Sequence, residues 1–179
     1  MIPTETAAKK LWDTYHLPDK KRLHVTLVAR VAVFLAKRYS QATHQPVNIS
    51  LLMAAALLHD IDKAVSPKPG EHHPDTAARV LREEGMPEVA EVVRHHVLDA
   101  ILDPAIAPTT IEEKLLYLAD KMVKFEIIDV DQRFQLWRDE HLPPDAENIL
   151  KKSYPKVKDL EREIFVAIGL QPADIGRLA

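Results

Sequence analysis

The chain contains no cysteine, which excludes thiolate metal sites, disulfide staples and cysteine nucleophiles and fits a reducing cytoplasm. Glycine is scarce, 4 residues against 13 prolines, a balance that favours helices with proline-marked ends. No alternation of Val, Ile, Thr or aromatic residues reads as a strand. Long apolar runs are missing too, and the longest falls far short of a membrane span. The opening stretch MIPTETAAKKLWDTY carries charges where a secretory signal needs an apolar core, so cytoplasmic placement is the expectation. With a net charge of -3 and a pI near 6.3, no basic face advertises nucleic acid. Internal repeats and low-complexity stretches are absent.

What remains is a resource of 9 histidines in a chain of 179 residues, 46% hydrophobic, enough for one compact domain with a real core. The stretch around which the rest is organised is LLMAAALLHDIDK, Leu51 to Lys63. A helix apolar on every side must be surrounded by other elements. At its inner end stand His59 and Asp60. A buried carboxylate is expensive unless it is paired or coordinates a metal, and His with Asp are ligands that zinc, manganese or iron accept. The bland alternative is an Asp capping the next turn beside a half-exposed His.

Further histidines and carboxylates fall on inward faces of other helices. A short amphipathic helix over Thr4 to Tyr15 precedes one from about Asp19 to Arg38, in which His24 shares a stripe with Val28, Val31 and Leu35. Ser40 to Asn48 reads as a polar connection, and Asn48 or Ser50 caps the central helix. After Lys63, Ser66-Pro67-Lys68-Pro69-Gly70 cannot continue a helix and reads as a loop, either a substrate mouth or a connector. His73 lies four before Ala77 and seven before Val80, on the inner face of a helix over Thr76 to Glu84 that Gly85 stops. The next helix starts at Pro87, and its stripe of Val89, Val92 and Val93 carries His96, with His95 just to one side. Thr110-Ile111-Glu112-Glu113 matches a capping box and opens a helix to about Lys124, with Asp120 on the border of its stripe. Two more helices, about Asp129 to Trp137 and Asp145 to Ile168, flank Leu142-Pro143-Pro144 and show no chemistry. Their expected role is packing on the core, or pairing with a second subunit as a homodimer.

Each of these residues alone has a structural explanation, but together they favour a shared site. His24, His59, Asp60 and Asp120 can hold one ion. His73, His95 and His96 can complete a second, Asp60 bridging through its two oxygens. The cofactor expected is one or two divalent transition-metal ions, with Fe, Mn, Co, Ni and Zn not distinguished.

In this order the pieces resemble the HD-domain superfamily of metal-dependent phosphohydrolases, specifically its small HDIG-type branch. The likeness is carried by His24-x-x-x-Val28-Ala29, AALLHDIDK at 55–63, HPDTAARVL at 73–81, VVRHH at 92–96 and LYLADKMVK at 116–124. It spans about residues 15 to 125, leaving 126 to 179 as a helical extension of a single domain. The resemblance implies an all-α bundle with a central buried helix carrying the His-Asp pair. Two positions depart from the family pattern. Asp62 stands where HDIGK has Gly, adding a negative charge beside the site and bearing on loop geometry or phosphate access, and Ala77 replaces another Gly. His96 is followed by Val97-Leu98-Asp99, so the cyclic di-GMP hydrolysis of the GYP-bearing branch is not supported. Relatives that keep only the first His of the pair point to His95, whereas helical periodicity points to His96. Both stay open.

The activity this implies is hydrolysis of a phosphoester or phosphoanhydride by metal-activated water. Asp60 would be ligand and orienter of the water, and Lys63, one turn past His59, would hold phosphate. Lys121 is a weaker candidate. The resemblance suggests a small phosphorylated substrate, a nucleotide, although Tyr117 and Phe125 do not form an evident base clamp. Oxygenation at a di-iron centre, known within the superfamily, and a non-catalytic nucleotide-binding module are the alternatives.

Overall fold

The computed structural model describes residues 1–178, and eight α-helices with three short 3-10 turns account for its regular structure. The only pairing of extended backbone among the described residues is an isolated bridge between Val123 and Ile127. The all-α expectation is met.

The helix boundaries follow local chemistry. α1 (Glu5–Thr14) starts where the Thr4 hydroxyl accepts from the Ala7 N–H. α2 (Asp19–Thr43) runs further than its apolar stripe suggests. Nothing between Arg38 and Thr43 breaks a helix, so the stretch expected as a connection coils until His44 turns left-handed at φ 57° ahead of Pro46. α3 (Ile49–Leu58) is capped by the Asn48 side chain, and a 3-10 turn over Ile61–Ala64 follows it. α4 (Asp75–Glu83) and α5 (Pro87–Arg94) flank Gly85, whose φ of +74° suits a residue without Cβ. α6 (Ile111–Asp120) opens on a complete capping box between Thr110 and Glu113. It stops at Asp120 rather than near Lys124, because Lys121 to Ile128 turn back on themselves. α7 (Val130–Asp139) has a second capping box from Asp129 and Gln132, and α8 (Pro144–Ile168) ends at Gly169 with φ +66°.

α3 is the axis. Leu52 and Ala54 to Leu58 are buried, and α1, α2, α5 and α6 pack around the helix. Trp12 Nε1 donates to the Leu57 carbonyl at 2.8 Å, tying α1 to the inner end of α3. α4 pairs with α5, while α8 lies on α2, α6 and the 3-10 turn over Leu98–Leu102 and carries α7. Buried apolar side chains from α1 through α8 form one continuous cluster. No helix among the described residues is long and apolar enough to cross a membrane.

This layering ends three helices at one place. His59 caps the C-terminus of α3, His95 and His96 follow α5, and Asp120 is the last residue of α6. Replacing the fully buried Leu58 by Ala should cost about 2–5 kcal/mol in urea unfolding, whereas Thr110→Ala, which removes one cap, should cost about 1 kcal/mol.

Candidate metal centre

Four imidazoles and two carboxylates converge where α3, α5 and α6 end. The ring of His59 lies 5.4 Å from that of His24 and 4.8 Å from that of His96, and His96 lies 4.8 Å from His73. Ligand atoms of His24, His59 and Asp60 all fall within 4.8 Å of one another, and so do those of Asp60, His73 and His96. Asp60 belongs to both groups through different oxygens. Its Oδ2 is 3.9 Å from His59 Nε2, and its Oδ1 is 3.5 Å from His73 Nε2. Asp120 Oδ1 closes the first group, at 3.0 Å from His24 Nε2 and 3.5 Å from His59 Nε2.

The rings are aimed by their other nitrogens. His59 Nδ1 meets the carbonyl of Ala56 at 2.9 Å, and His96 Nδ1 meets that of Val93 at 2.6 Å, in each case three residues back in its own helix. His24 Nδ1 faces the Lys124 carbonyl at 3.1 Å. A carbonyl only accepts, so each Nδ1 carries the proton, and a neutral ring then presents its Nε2 lone pair to the centre. His73 is held differently, its Nδ1 lying 3.0 and 2.9 Å from the two oxygens of Asp62.

The residues fit a divalent cation. His59 Nε2 is buried without a hydrogen-bond partner, an orphan that water-free surroundings would penalise. His73 and His96 bring their Nε2 atoms within 3.0 Å. Two nitrogens sharing a tetrahedral ion at ~2.1 Å stand about 3.4 Å apart, so little adjustment separates this contact from shared coordination.

The electrostatics agree. Burial opposes ionisation of Asp60, yet His59, Lys63 and Lys21 hold its carboxyl well below the usual carboxylate range. Asp120 is likewise buried and held low, chiefly by the Lys121 ammonium, with the His24 and His59 imidazoles acting in the same direction. Burial drives the His96 imidazole down, reinforced by His59 and His73, which leaves it neutral. For His59 burial works downwards, but Asp60 and Asp120 reverse the direction, the mark of carboxylates that demand positive charge. Ionised carboxylates and a neutral imidazole are the protonation states in which such groups ligate metals.

Of the residues singled out in the sequence, His24, His59, Asp60, His73, His96 and Asp120 are brought together. His95 is not. Its Nδ1 faces the Ile106 carbonyl at 2.8 Å and its Nε2 faces Glu91 and Glu113 at 3.5 and 4.0 Å. Neighbouring residues at a helix end point in different directions, and the apolar stripe of α5 turns His96 inward. Lys63 sits at the rim, its Nζ 3.2 Å from Asp60 Oδ1. Tyr117 is fully buried and donates to the Leu98 carbonyl at 2.7 Å.

Other participants are evident only in three dimensions. Lys21 Nζ reaches Asp60 Oδ2 at 2.8 Å from the first turns of α2. Lys121 is buried over the Tyr117 ring, donating to Asp120 Oδ2 at 2.9 Å and to the His96 carbonyl, so it locks the end of α6 to the end of α5. The C-terminal third, expected to be free of chemistry, reaches the mouth. A cavity of about 320 Å³ beside His24 is lined by Lys20, Lys21, Lys124, Phe125, Arg133 and Trp137, together with Glu140. The Arg133 guanidinium lies 4.2 Å from the centre of the Trp137 ring, and its buried Nε lacks a hydrogen-bond partner. The one legible signal was the spacing of Arg133 and Trp137 by one helical turn.

Among known families, the model described as HD domain matches residues 23–123. Comparison with curated proteins and with solved structures gives no match. In equilibrium dialysis against Mn²⁺, His96→Ala should weaken binding by more than about tenfold, while His95→Ala should leave it unchanged.

Proposed function

The chain belongs to the HD-domain family, and from that premise we propose that it is a metal-dependent phosphohydrolase acting on a nucleotide, of the small HDIG-type branch. The family generally includes metal-dependent hydrolases. The observation that carries the reading is the sharing of Asp60, whose two oxygens face two separate histidine groups. In this proposal His24, His59, Asp60 and Asp120 hold one divalent ion, and Asp60, His73 and His96 hold a second. Such ions, when bound, lower the pKa of water from ~15.7 towards about 7 and neutralise phosphoryl charge.

The protein's own contribution is to hold, orient and neutralise. Asp60, whose carboxyl its neighbours hold below the usual carboxylate range, is an acceptor that can orient an attacking water. Lys63 and Lys21 flank it from the 3-10 turn and from α2. Both are partly exposed, so each ammonium can be shared between Asp60 and a phosphate oxygen.

The cavity beside His24 supports the nucleotide assignment. Its walls combine four basic side chains with the aromatic faces of Phe125 and Trp137. A phosphate chain suits the cations and a base suits the rings. Phe125 is half-exposed, an unfavourable setting for a large apolar side chain unless something covers it. Arg133, backed by Trp137, adds a guanidinium to the same wall.

The test is release of phosphate and nucleotide products from a nucleotide panel with Mn, Co, Fe or Ni. Turnover with at least one metal is expected, and Asp60→Ala should abolish both turnover and metal binding. Lys63→Ala and Arg133→Ala should each lower kcat/KM by about 10- to 100-fold, the worth of one charge-assisted hydrogen bond. Absence of turnover with every metal, combined with unchanged metal content in Asp60→Ala, defeats the proposal.

A further inference from the structure

We infer that Asp62 is a positioning residue for His73, and that it gives the Asp60–His73–His96 group its affinity for an ion. The inference rests on the two-group reading above and adds a residue that takes no part in it as a ligand.

Three observations lead to it. The first is contact. His73 Nδ1 lies 2.9 and 3.0 Å from the two Asp62 oxygens, while its Nε2 lies 3.0 Å from His96 Nε2 and 3.5 Å from Asp60 Oδ1. One ring therefore joins a carboxylate behind it to the ligand cluster in front. The second is contrast. His24, His59 and His96 all turn their Nδ1 to backbone carbonyls, so His73 alone of the four has a charged group at its Nδ1. The third is need. His59 and His96 hang from helix ends and are fully enclosed, whereas His73 stands on the stretch before α4, with its side chain 26% exposed. Its Nδ1 meets the Asp62 carboxylate instead of a helix-end carbonyl.

A carboxylate does this job more strongly than a carbonyl. It draws on the Nδ1 proton, fixes the tautomer with Nε2 unprotonated, and makes that nitrogen a better donor. Asp62 has a reason of its own to stay there. It is buried and its carboxylate pairs with His73, so its charge is best compensated by an imidazole that passes positive charge from an ion beyond it. The 3-10 turn over Ile61–Ala64 places Asp62 two residues after Asp60, which lets a ligand and an orienting group come from one turn.

The consequence is an asymmetry between the two groups. Removing Asp62 should loosen the ion held by His73 and His96 and spare the one held by His24, His59 and Asp120. Calorimetric titration of the full chain with Mn²⁺ reads this directly. The wild type should take up two ions. Asp62→Ala should bind one as tightly as the wild type and the other about 10- to 100-fold more weakly. Asp62→Asn, which keeps the size and an acceptor oxygen but not the charge, should fall between them, and it carries the test should the alanine variant fail to fold. Long-range ¹H–¹⁵N NMR of the metal-free chain gives a second readout. His73 should be protonated on Nδ1 in the wild type and lose that preference in Asp62→Ala.

Two ions bound at wild-type strength by both variants would overturn the inference, and so would equal weakening of both ions. A wild type that takes up only one ion overturns it while leaving hydrolysis standing. A wild type that takes up none overturns the hydrolase reading as well.

Discussion

A carboxylate stands where an apolar helix runs out, and it has to be neutralised. Asp60 is buried, and around it the protein has assembled His59, His73, Lys21 and Lys63. An uncompensated charge in such a place would cost several kcal/mol, comparable to the whole stability of a domain. The need for positive charge at this point organises much else. It explains why two lysines from separate elements lean on one carboxylate, and why four imidazoles surround it instead of aliphatic side chains.

The helix ends sharpen that need. α3, α5 and α6 all finish at the centre, and helix C-termini carry partial negative charge. Their last carbonyls are not wasted. Those of Ala56 and Val93 each take the Nδ1 proton of a histidine three residues on, so the same backbone groups that end the helix aim the ring. Lys121, buried against Tyr117, fastens two of these ends together through Asp120 and the His96 carbonyl. Positioning the donors thus costs few additional side chains. Where a helix end is not available, as at His73, a carboxylate takes over.

Much of this was legible in the chain. The uniform apolar character of Leu51 to Leu58 marks a surrounded helix, and the capping box at Thr110 and Glu113 marks the start of α6. Periodicity also favoured His96, since it continues the stripe of Val89 and Val93 that α5 buries. These signals are local. They depend on spacings of three and four residues that a helix converts into one face. The extension of α2 to Thr43 was missed because polar residues were read as a connection, although nothing in them breaks a helix. The early end of α6 was missed because Lys121 to Lys124 look helical, and the return of the chain at Val123 to Ile128 depends on contacts further away.

Sequence by itself determined the class of fold, the central helix and the set of side chains able to bind a cation, because those follow from composition and short-range period. Tertiary structure alone decided which of them meet. It turned His95 away towards Ile106 and brought Asp62 behind His73. It also carried Arg133 and Trp137 from the far end of the chain to the mouth beside His24. The reason is physical: ligation and ion pairing require ångström proximity between residues a hundred positions apart, and only the packing of helix against helix sets those distances.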